Sequence, residues 1–365
     1  MQQTIYINAR FLTQRITGVQ RFAIEISKEL RAIYPYNKLV FVCPYNIVQK
    51  EVADELGVTK IGNHTGHLWE QIDLPMYLKK CGNPLLLNFC STAPVFYKNK
   101  ITTLHDITFI RYPKTFSFKF NLLYRILIPL ILKTSKHIFT VSQFSKDEII
   151  SYYHVNEKKI SIIYNAVNDN FKTVKKEFLS NEKYLIAVSS IKENKNFPIV
   201  LRAFLLAHKE VPNLKLYIIG DLRTNSFKGM DTMINEISKH SNIKILGRVS
   251  DSDLIKYYSN AVAFIFPSLY EGFGIPVLEA QACGCPVIAA NSSSLPEVLN
   301  GSALTCSPLS EKEFYHHIKS LLQSPQLAEE LIEKGYNNVK RFSWVNSANK
   351  ILNIIIKIEN EQAKA

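Results

Sequence analysis

Two glutamates in the second half of the chain, Glu271 and Glu279, are separated by seven residues. The segment reads Glu-Gly-Phe-Gly-Ile-Pro-Val-Leu-Glu, and Pro276 suits the first position of a helix, where its missing N–H is not needed. Gly284 is typical of a residue that ends such a helix. Unpaired backbone N–H groups around residues 273–277, together with the positive end of the helix dipole, favour an anion. The spacing therefore predicts a phosphate-binding helix N-terminus flanked by carboxylates.

The two carboxylates suit the recognition of hydroxyl groups. Glu279, one turn into the predicted helix, is placed to accept hydrogen bonds from a vicinal diol such as ribose, each worth about 1.5–3 kcal/mol because the acceptor is charged. Glu271, at the tip of the loop, is placed to contact hydroxyls that extend beyond the phosphates. The alternative is that both acids only stabilise a helix N-terminus electrostatically. The glycines and the proline between them favour the binding interpretation.

Apolar runs typical of buried strands alternate with helical patterns in the first part of the chain, and the alternation restarts after residue 182. The predicted strands are 4–8, 38–43, 84–88, 100–104 and 137–141, then 183–189, 214–220, 242–246, 261–266 and 286–290. Such alternation predicts parallel sheets covered by helices. We therefore expect an α/β protein of two tandem doubly wound Rossmann-like lobes. A ligand is expected in the cleft between the lobes, at the carboxyl ends of the strands.

Domain boundaries follow from the same pattern. The chain has 365 residues, and at roughly 100–200 residues per domain this length predicts two domains. The first is predicted over 1–168 and the second over 183–342, with a polar linker at 169–182 and a terminal helix at 343–365.

The composition excludes several classes of protein. Apolar side chains make up 47% of the chain, so a disordered chain is ruled out. The six cysteines are scattered without metal-ligand spacing, and residues 1–30 lack the apolar core of a signal peptide. The longest apolar run, 120–132, is too short to span a bilayer. We expect a cytoplasmic protein, either soluble or peripheral on the inner face of the cytoplasmic membrane.

The formal net charge of +13, from 44 basic and 31 acidic residues, predicts an anionic partner. Between Asp106 and Asp147 there are seven basic residues and no acidic one, and aromatic residues and leucines interleave with them. Residues 111–136 are therefore predicted to contact an anionic membrane surface, with about 1 kcal/mol from each basic residue. The alternative is a helix with a solvated basic face. No nucleic-acid-binding motif accompanies the charge, so we expect no nucleic acid partner.

The segment from Glu271 to Glu279 resembles the E-x7-E signature of the retaining glycosyltransferases of family 4, which have the GT-B fold. Other segments resemble family segments in the family's order: 17–21, 104–106, 141–146, 164–167, 195–196, 247–251, 267–272 and 295–298. The resemblance covers nearly the whole chain and is specific for the family, though not for a substrate. It implies that the first domain binds the acceptor, that the second binds a nucleotide sugar, and that the C-terminal helix packs back on the first domain.

The resemblance also implies roles for individual residues. Lys195 matches the basic residue that neutralises the donor diphosphate, Glu279 would hold the nucleotide ribose, and the backbone of Val249 would contact the base. The implied donor-binding residues are Gly18, Lys195, Val249, Phe273, Gly274, Ile275, Val277 and Glu279.

Two residues are implied to act at the reacting centre. Glu271 would hold the donor sugar together with the backbone of the following loop, and His105 matches the histidine that family members place beside that sugar. A lone histidine at a strand end is more often structural, and only the resemblance favours the functional role of His105. Asp106 is expected either to orient the imidazole or to contact the acceptor. Gly18, which has no side chain, would let backbone N–H groups approach the diphosphate.

The chain departs from the family's pattern at two places. Many relatives have an arginine shortly before the diphosphate-binding lysine, whereas residues 189–195 contain none. Lys192 is the candidate to replace it, although a lysine cannot form the bidentate fork of an arginine. Ala9 stands where some relatives have a glycine, close to the acceptor side.

One further motif points to a metal. Asp251 and Asp253 form a D-x-D pattern typical of metal-dependent transferases, but their place before a helical stretch favours helix capping. We expect neither a metal nor another cofactor.

The implied reaction moves a sugar from a nucleoside-diphosphate sugar to an acceptor hydroxyl, with retention of the anomeric configuration. The expected acceptor is an oligosaccharide or a lipid-linked glycan in the assembly of a bacterial surface polysaccharide, such as O-antigen, capsule or lipopolysaccharide. Two alternatives remain at this point. One is a nucleotide-sugar 2-epimerase of the same fold, and the other is a non-catalytic nucleotide-sugar-binding protein.

Overall fold

The chain is described by a computed structural model over residues 4–174, 182–188, 192–220, 237 and 239–363. It divides into two compact units. The first comprises Met1–Ile107, Lys119–Asn165 and Ser343–Ala365, and the second comprises Thr108–Phe118 and Ala166–Phe342. Residues 175–181 of the predicted linker and 189–191, where the family arginine is missing, lie outside the described residues.

The first unit is built on a parallel sheet with the strand order β3-β2-β1-β4-β5-β6-β7 over its described residues. The strands are β1 (Ile5–Asn8), β2 (Leu39–Cys43), β3 (Thr59–Lys60), β4 (Leu85–Asn88), β5 (Lys100–Thr103), β6 (His137–Thr140) and β7 (Ile160–Ile162). The sequence pattern predicts all of these except the short edge strands β3 and β7. Both are too short for a periodic apolar pattern, since β3 has two exposed residues and β7 has three residues.

Helices cover both faces of this sheet. The helical elements between Gly18 and Tyr153 are, in chain order, α1 (Gly18–Ile33), α2 (Lys50–Leu56), α3 (Gly66–Leu68), a π-helical turn (Trp69–Asp73), α4 (Leu74–Lys80), α5 (Thr108–Arg111), α6 (Phe118–Thr134) and α7 (Gln143–Tyr153). Short 3-10 turns lie at Arg10–Thr13, Tyr36–Lys38, Pro113–Thr115 and Glu157–Lys159. Of these elements, α5 and the turn at Pro113–Thr115 belong to the second unit.

The centre of the first sheet is apolar on both faces, as expected for parallel strands covered by helices. In the register, Ile7 of β1 pairs with Phe41 on one side and with Leu87 on the other. All three side chains are fully buried. This arrangement leaves the polar ends of the strands, such as Asn8 and Asn88, at the carboxyl edge of the sheet.

The second unit is built on a parallel sheet with the strand order β10-β9-β8-β11-β12-β13 in the part of the chain that is described. Its strands are β8 (Tyr184–Val188), β9 (Lys215–Ile219), β10 (Ile243–Gly247), β11 (Ala263–Phe266), β12 (Val287–Ala290) and β13 (Leu304–Cys306). A 3-10 turn (Glu193–Lys195) follows β8. The helices are α8 (Phe197–Glu210), α9 (Asp251–Asn260), α10 (Ile275–Ala282), α11 (Leu295–Leu299), α12 (Glu311–Gln323) and α13 (Pro325–Val339).

The last helix, α14 (Trp344–Ala363), returns to the first unit. The ring of Trp344 lies 5.9 Å from the ring of Phe22 on α1, centroid to centroid. The Ser347 hydroxyl donates a hydrogen bond of 2.7 Å to the carbonyl of Tyr164. These contacts confirm the predicted return of the C-terminal helix, and the two doubly wound parallel sheets confirm the predicted fold class. Among the described residues, no helix has both the length and the apolar character needed to cross a membrane.

Candidate functional site

The loop between β11 and α10 has a backbone that requires glycine. Gly274 is the residue before α10 and has a φ of +96°, in the left-handed region. A Cβ at this position would lie only 2.9 Å from the side chain of Leu295. Pro276 lies in the first turn of α10, and no side chain caps the helix. The start of α10 therefore presents backbone groups, rather than a capping side chain, to whatever binds there.

Glu271 is paired with Lys195, although 76 positions separate them in the sequence. The Lys195 ammonium donates a hydrogen bond to a Glu271 carboxylate oxygen at 2.5 Å. The side chains are only 20% and 12% exposed, so water screens this ion pair weakly. The carboxyl ends of β8 and β11, which are neighbours in the sheet, bring the two residues together. Two residues that the sequence analysis selected for separate reasons thus lie in one place.

Two serines brace the same loop, and sequence reasoning missed both. The Glu271 N–H donates to the Ser293 hydroxyl at 3.0 Å. The Ser294 hydroxyl, fully buried, is within 3.0 Å of the carbonyls of Glu271 and Phe273. These bonds fix the loop backbone on both sides of Gly272. A run of three serines before a helix carries no signal for such contacts, because serines are common in any polar loop.

Two asparagines fasten the turn that carries Lys195. The buried Asn194 side chain donates to the carbonyl of Tyr270 at 3.1 Å, and the Asn194 carbonyl accepts from the Leu269 N–H at 2.7 Å. Asn196, which has a left-handed backbone, donates to the carbonyl of Pro267 at 3.2 Å. These hydrogen bonds hold the turn after β8 to the loop after β11. They do not involve the side chains of Lys195 and Glu271.

The other predicted donor-binding residues of this unit lie at different positions around the same sheet. Glu279 lies inside α10 and is 7% exposed, while Ile275 and Val277 are buried in its first turns. Val249 follows β10, at the edge of the sheet and two strands away from β8. The roles of these residues stay predictions.

Asp251 and Asp253 lie in the first turn of α9. The residue that caps the helix is Ser250, whose hydroxyl accepts from the Asp253 N–H at 3.1 Å. Hydrogen bonds from Ser250 and Lys256 lower the pKa of the exposed Asp253 carboxyl. The helix cap is thus the serine, with the acids in the turn behind it. No group of three or more His, Cys, Asp or Glu side chains in the described ranges could hold a metal ion.

In the first unit, His105 follows β5 and is buried. Its Nε2 lies 2.8 Å from the carbonyl of Phe89, so Nε2 carries the proton and donates, which leaves Nδ1 as an acceptor. Burial lowers the pKa of His105, and the imidazole is therefore neutral near pH 7. Its ring meets that of Phe22 edge to face, with 5.0 Å between centroids. Phe22 lies one turn after Gly18, which begins α1 and is exposed.

A buried ion pair that the sequence analysis did not anticipate lies at the carboxyl edge of the first sheet. Arg10 Nε lies 3.1 Å from Glu70 Oε1, and both side chains are almost completely buried. Asn8, at the end of β1, donates to Glu70 at 2.9 Å and to Asn88, at the end of β4, at 3.0 Å. The charge of Arg10 overrides the effect of burial and lowers the pKa of Glu70 to about 2. The only sequence signal for this network is a pair of asparagines that end neighbouring strands.

Comparison with known proteins agrees with this architecture. A family model described as "Glycosyl transferases group 1" matches residues 169–338, and one described as "Glycosyltransferase Family 4" matches residues 84–171. The O-antigen chain mannosyltransferase RfbU of Salmonella typhimurium is 34% identical over 74% of this chain and 72% of its own length. The O-antigen chain mannosyltransferase B of Escherichia coli is 29% identical over 93% and 95% of the two chains. The structure of Anabaena HepE with UDP and glucose matches with a TM-score of 0.75 at 17% identity, over 97% and 99%.

Two doubly wound parallel sheets of this kind are the architecture of the GT-B fold, and the E-x7-E loop follows β11 of the second sheet. The chain belongs to glycosyltransferase family 4 and is homologous to O-antigen mannosyltransferases. It is accordingly a retaining glycosyltransferase, and the predicted family, fold and enzyme class are confirmed.

Replacement of Gly274 by alanine should destabilise the second unit. A left-handed φ costs an alanine about 1 kcal/mol, and the contact with Leu295 adds to this. Gly301 is a matched control, since its φ is +78° but nothing lies within 4 Å of a Cβ there. We expect Gly274→Ala to lower the melting temperature by several degrees more than Gly301→Ala, as measured by calorimetry. Equal losses in the two variants would show that the space at Gly274 is not constrained.

Proposed function

We propose that the second unit binds a nucleoside-diphosphate sugar at the carboxyl ends of β8 and β11. The observation that carries this proposal is the Lys195–Glu271 ion pair beside the loop that leads into α10. A diphosphate needs a cation and backbone N–H donors, and Lys195 and the uncapped start of α10 supply them. Glu279, buried in the same helix, would accept hydrogen bonds from the ribose.

Donor binding would change the partner of Lys195. Without a donor, the ammonium is neutralised by Glu271. The diphosphate carries more negative charge than one carboxylate, so Lys195 would turn to it and leave Glu271 to accept hydrogen bonds from hydroxyls of the donor sugar. Lys195 would thus bind the phosphates of the donor, and Glu271 would bind its sugar.

The same groups would serve the transfer step. As the bond between the anomeric carbon and the phosphate oxygen breaks, negative charge grows on the leaving diphosphate, where Lys195 and the start of α10 stabilise it. The acceptor oxygen forms its bond on the face that the diphosphate leaves, which retains the configuration. The leaving phosphate oxygen takes the proton of the acceptor hydroxyl. Stabilisation of this charge is the largest catalytic contribution that we assign.

For the first unit, we propose that Gly18 and His105 are functional residues and that Asp106 is an auxiliary one. A neutral imidazole, fixed by its bond to Phe89, suits a position beside a sugar that gains positive charge in the transition state. A protonated histidine would oppose that charge.

The identity of the donor sugar is proposed from the relatives. Two proteins named as O-antigen mannosyltransferases are 34% and 29% identical to this chain, so mannose is the sugar that we propose. Because HepE, which was solved with UDP and glucose, is only 17% identical, it supports the fold and leaves the nucleotide to experiment.

We also propose that the acceptor is lipid-linked and that the enzyme works on the cytoplasmic face of the membrane. The exposed apolar residues of the first unit support this. On the helical segment 66–80, the side chains of Leu68, Ile72 and Met76 are exposed at every fourth position. On α6, those of Leu122, Ile126 and Leu130 repeat in the same way. We refer to these six residues as the two-helix surface.

The two helical segments are neighbours on one face of the first sheet. The connections from β3 to β4 and from β5 to β6 run in the same direction along the strand order, and right-handed crossovers then put both helices on the same face. His67 and Tyr124, one from each segment, have ring centroids 6.3 Å apart. Exposed basic residues flank the apolar stripes: Lys79, Lys80, Lys119, Arg125 and Lys133. An anionic leaflet complements this combination of charge and apolar surface.

A thermal-shift panel of GDP-mannose, other GDP-sugars, UDP-sugars and dTDP-sugars tests the donor proposal. We expect one nucleotide to raise the melting temperature clearly and Glu279→Ala to lose most of that rise, because the ribose then lacks its charged acceptor. Glu329→Ala, at an exposed position on α13, is the control and should keep the full shift. If no donor near a millimolar concentration shifts the protein, the donor site is wrong.

Co-sedimentation with vesicles tests the membrane proposal. Vesicles with anionic lipid should retain the protein several-fold better than neutral ones, and 0.5 M salt should weaken retention because it screens the basic residues. The double variant Leu122→Ser/Ile126→Ser should lose most of the binding. Ile356→Ser, at an exposed isoleucine on α14, should not. Equal capture by anionic and neutral vesicles would contradict the proposal.

A further inference from the structure

A short segment from the first half of the chain contacts the candidate donor site of the second unit. Thr108–Phe118 belongs to the second unit, although the residues on both sides of it belong to the first. Its 3-10 turn, Pro113–Thr115, packs against the 3-10 turn Glu193–Lys195 that carries the diphosphate-binding candidate. The ring of Tyr112 lies 5.9 Å from that of Tyr270, the residue before Glu271. The segment thus contacts both of the chain stretches that form the Lys195–Glu271 pair.

Within this segment, the ring of Phe116 contacts the side chain of Lys192. The Lys192 ammonium lies 4.8 Å from the centroid of the Phe116 ring, within the range of a cation–π interaction. Lys192 directly precedes the turn that contains Lys195, and its carbonyl accepts from the Lys195 N–H at 3.0 Å. Lys192 has an extended backbone and Lys195 is the last residue of the turn. Two ammonium groups therefore belong to residues only three positions apart, just after β8.

The two lysines are held by different kinds of group. Lys195 is held by a carboxylate, which cancels its charge until a ligand displaces it. Lys192 lies over the Phe116 ring, and a ring attracts an ammonium through its face without itself carrying a negative charge. A lysine is a flexible point charge with no preferred direction, unlike the planar fork of an arginine. The ring of Phe116 beside Lys192 gives the ammonium group a preferred direction.

We propose that Phe116 is a positioning residue that holds Lys192 as the second cation for the donor diphosphate. The inference rests on the proposed donor site and names the groups that serve where the family arginine is missing. The segment Thr108–Phe118, which packs with the second unit, carries this ring.

Calorimetric titration with nucleoside diphosphate and monophosphate tests this role. The probes are GDP and GMP, or UDP and UMP, according to which base the wild-type protein binds. We expect Phe116→Leu and Lys192→Gln each to weaken binding of the diphosphate about three- to tenfold, and binding of the monophosphate less than about twofold. The double variant should bind the diphosphate no more weakly than Lys192→Gln alone, since the ring acts only through the lysine. Phe118→Leu is the matched control, because Phe118 is 80% exposed.

Each contrary result has a distinct meaning. Equal weakening of diphosphate and monophosphate binding by Phe116→Leu would assign the ring a packing role and overturn the proposal. Additive effects in the double variant would show that Phe116 does not act through Lys192, which also overturns it. If the wild-type protein binds neither nucleoside diphosphate, the donor site itself is wrong and both proposals fall. Loss of folding is monitored by the melting temperature of each variant, and Lys192→Gln alone still tests the second cation.

Discussion

The ion pair between Lys195 and Glu271 is the interaction on which the candidate donor site depends. It joins a side chain of the turn after β8 to a side chain of the loop after β11, and both side chains are mostly withdrawn from water. Burying two charges costs desolvation energy that their attraction only roughly offsets, so such a pair is a poor device for stability alone. The surrounding structure already fixes both backbones without it, through Asn194, Asn196, Ser293 and Ser294. The charges are therefore available for exchange with a ligand.

The parallel sheet explains why residues so far apart in sequence meet. All strands of a parallel sheet end at one edge, so the turns after β8 and β11 are neighbours once the strands pair. The strands of the first sheet also end at one edge, where they bring a different set of residues together. At this carboxyl edge Asn8 donates to Asn88 and to Glu70, the partner of Arg10. His105 bonds to the carbonyl of Phe89, the residue after Asn88. Each unit thus collects its polar groups at the edge where a ligand of this fold binds.

Much of this architecture could be predicted from the sequence, because the patterns are local. The strand and helix periods predict the two sheets, and the spacing of Glu271 and Glu279 around Gly274 predicts the loop before α10. The pairing of Lys195 with Glu271 could not be predicted, since it depends on which strands become neighbours. The serines and asparagines that brace the loop were missed for the same reason.

The basic segment 111–136 shows a different limit of sequence reasoning. From its composition the segment is predicted to be one amphipathic stretch. In the structure, Thr108–Phe118 packs in the second unit, whereas the part of α6 after Phe118 packs in the first. On α6 the residues that face outward are leucine and isoleucine as well as lysine and arginine, so its solvent face is not simply a basic one. On the opposite face of α6, the buried residues Ile128 and Ile131 are as apolar as the exposed leucines and isoleucine. Periodicity alone cannot distinguish the two faces of such a helix.

The most direct measurement is the affinity of Glu271→Gln for nucleoside diphosphate, compared with that of Lys195→Gln. If the carboxylate competes with the diphosphate for Lys195, its removal leaves binding as tight as in the wild-type protein or a few-fold tighter, while Lys195→Gln weakens binding about tenfold or more. Sugar transfer by Glu271→Gln should nevertheless be slow, because the donor sugar loses its charged acceptor. Equal weakening of nucleoside diphosphate binding by the two variants would contradict the exchange of partners at Lys195.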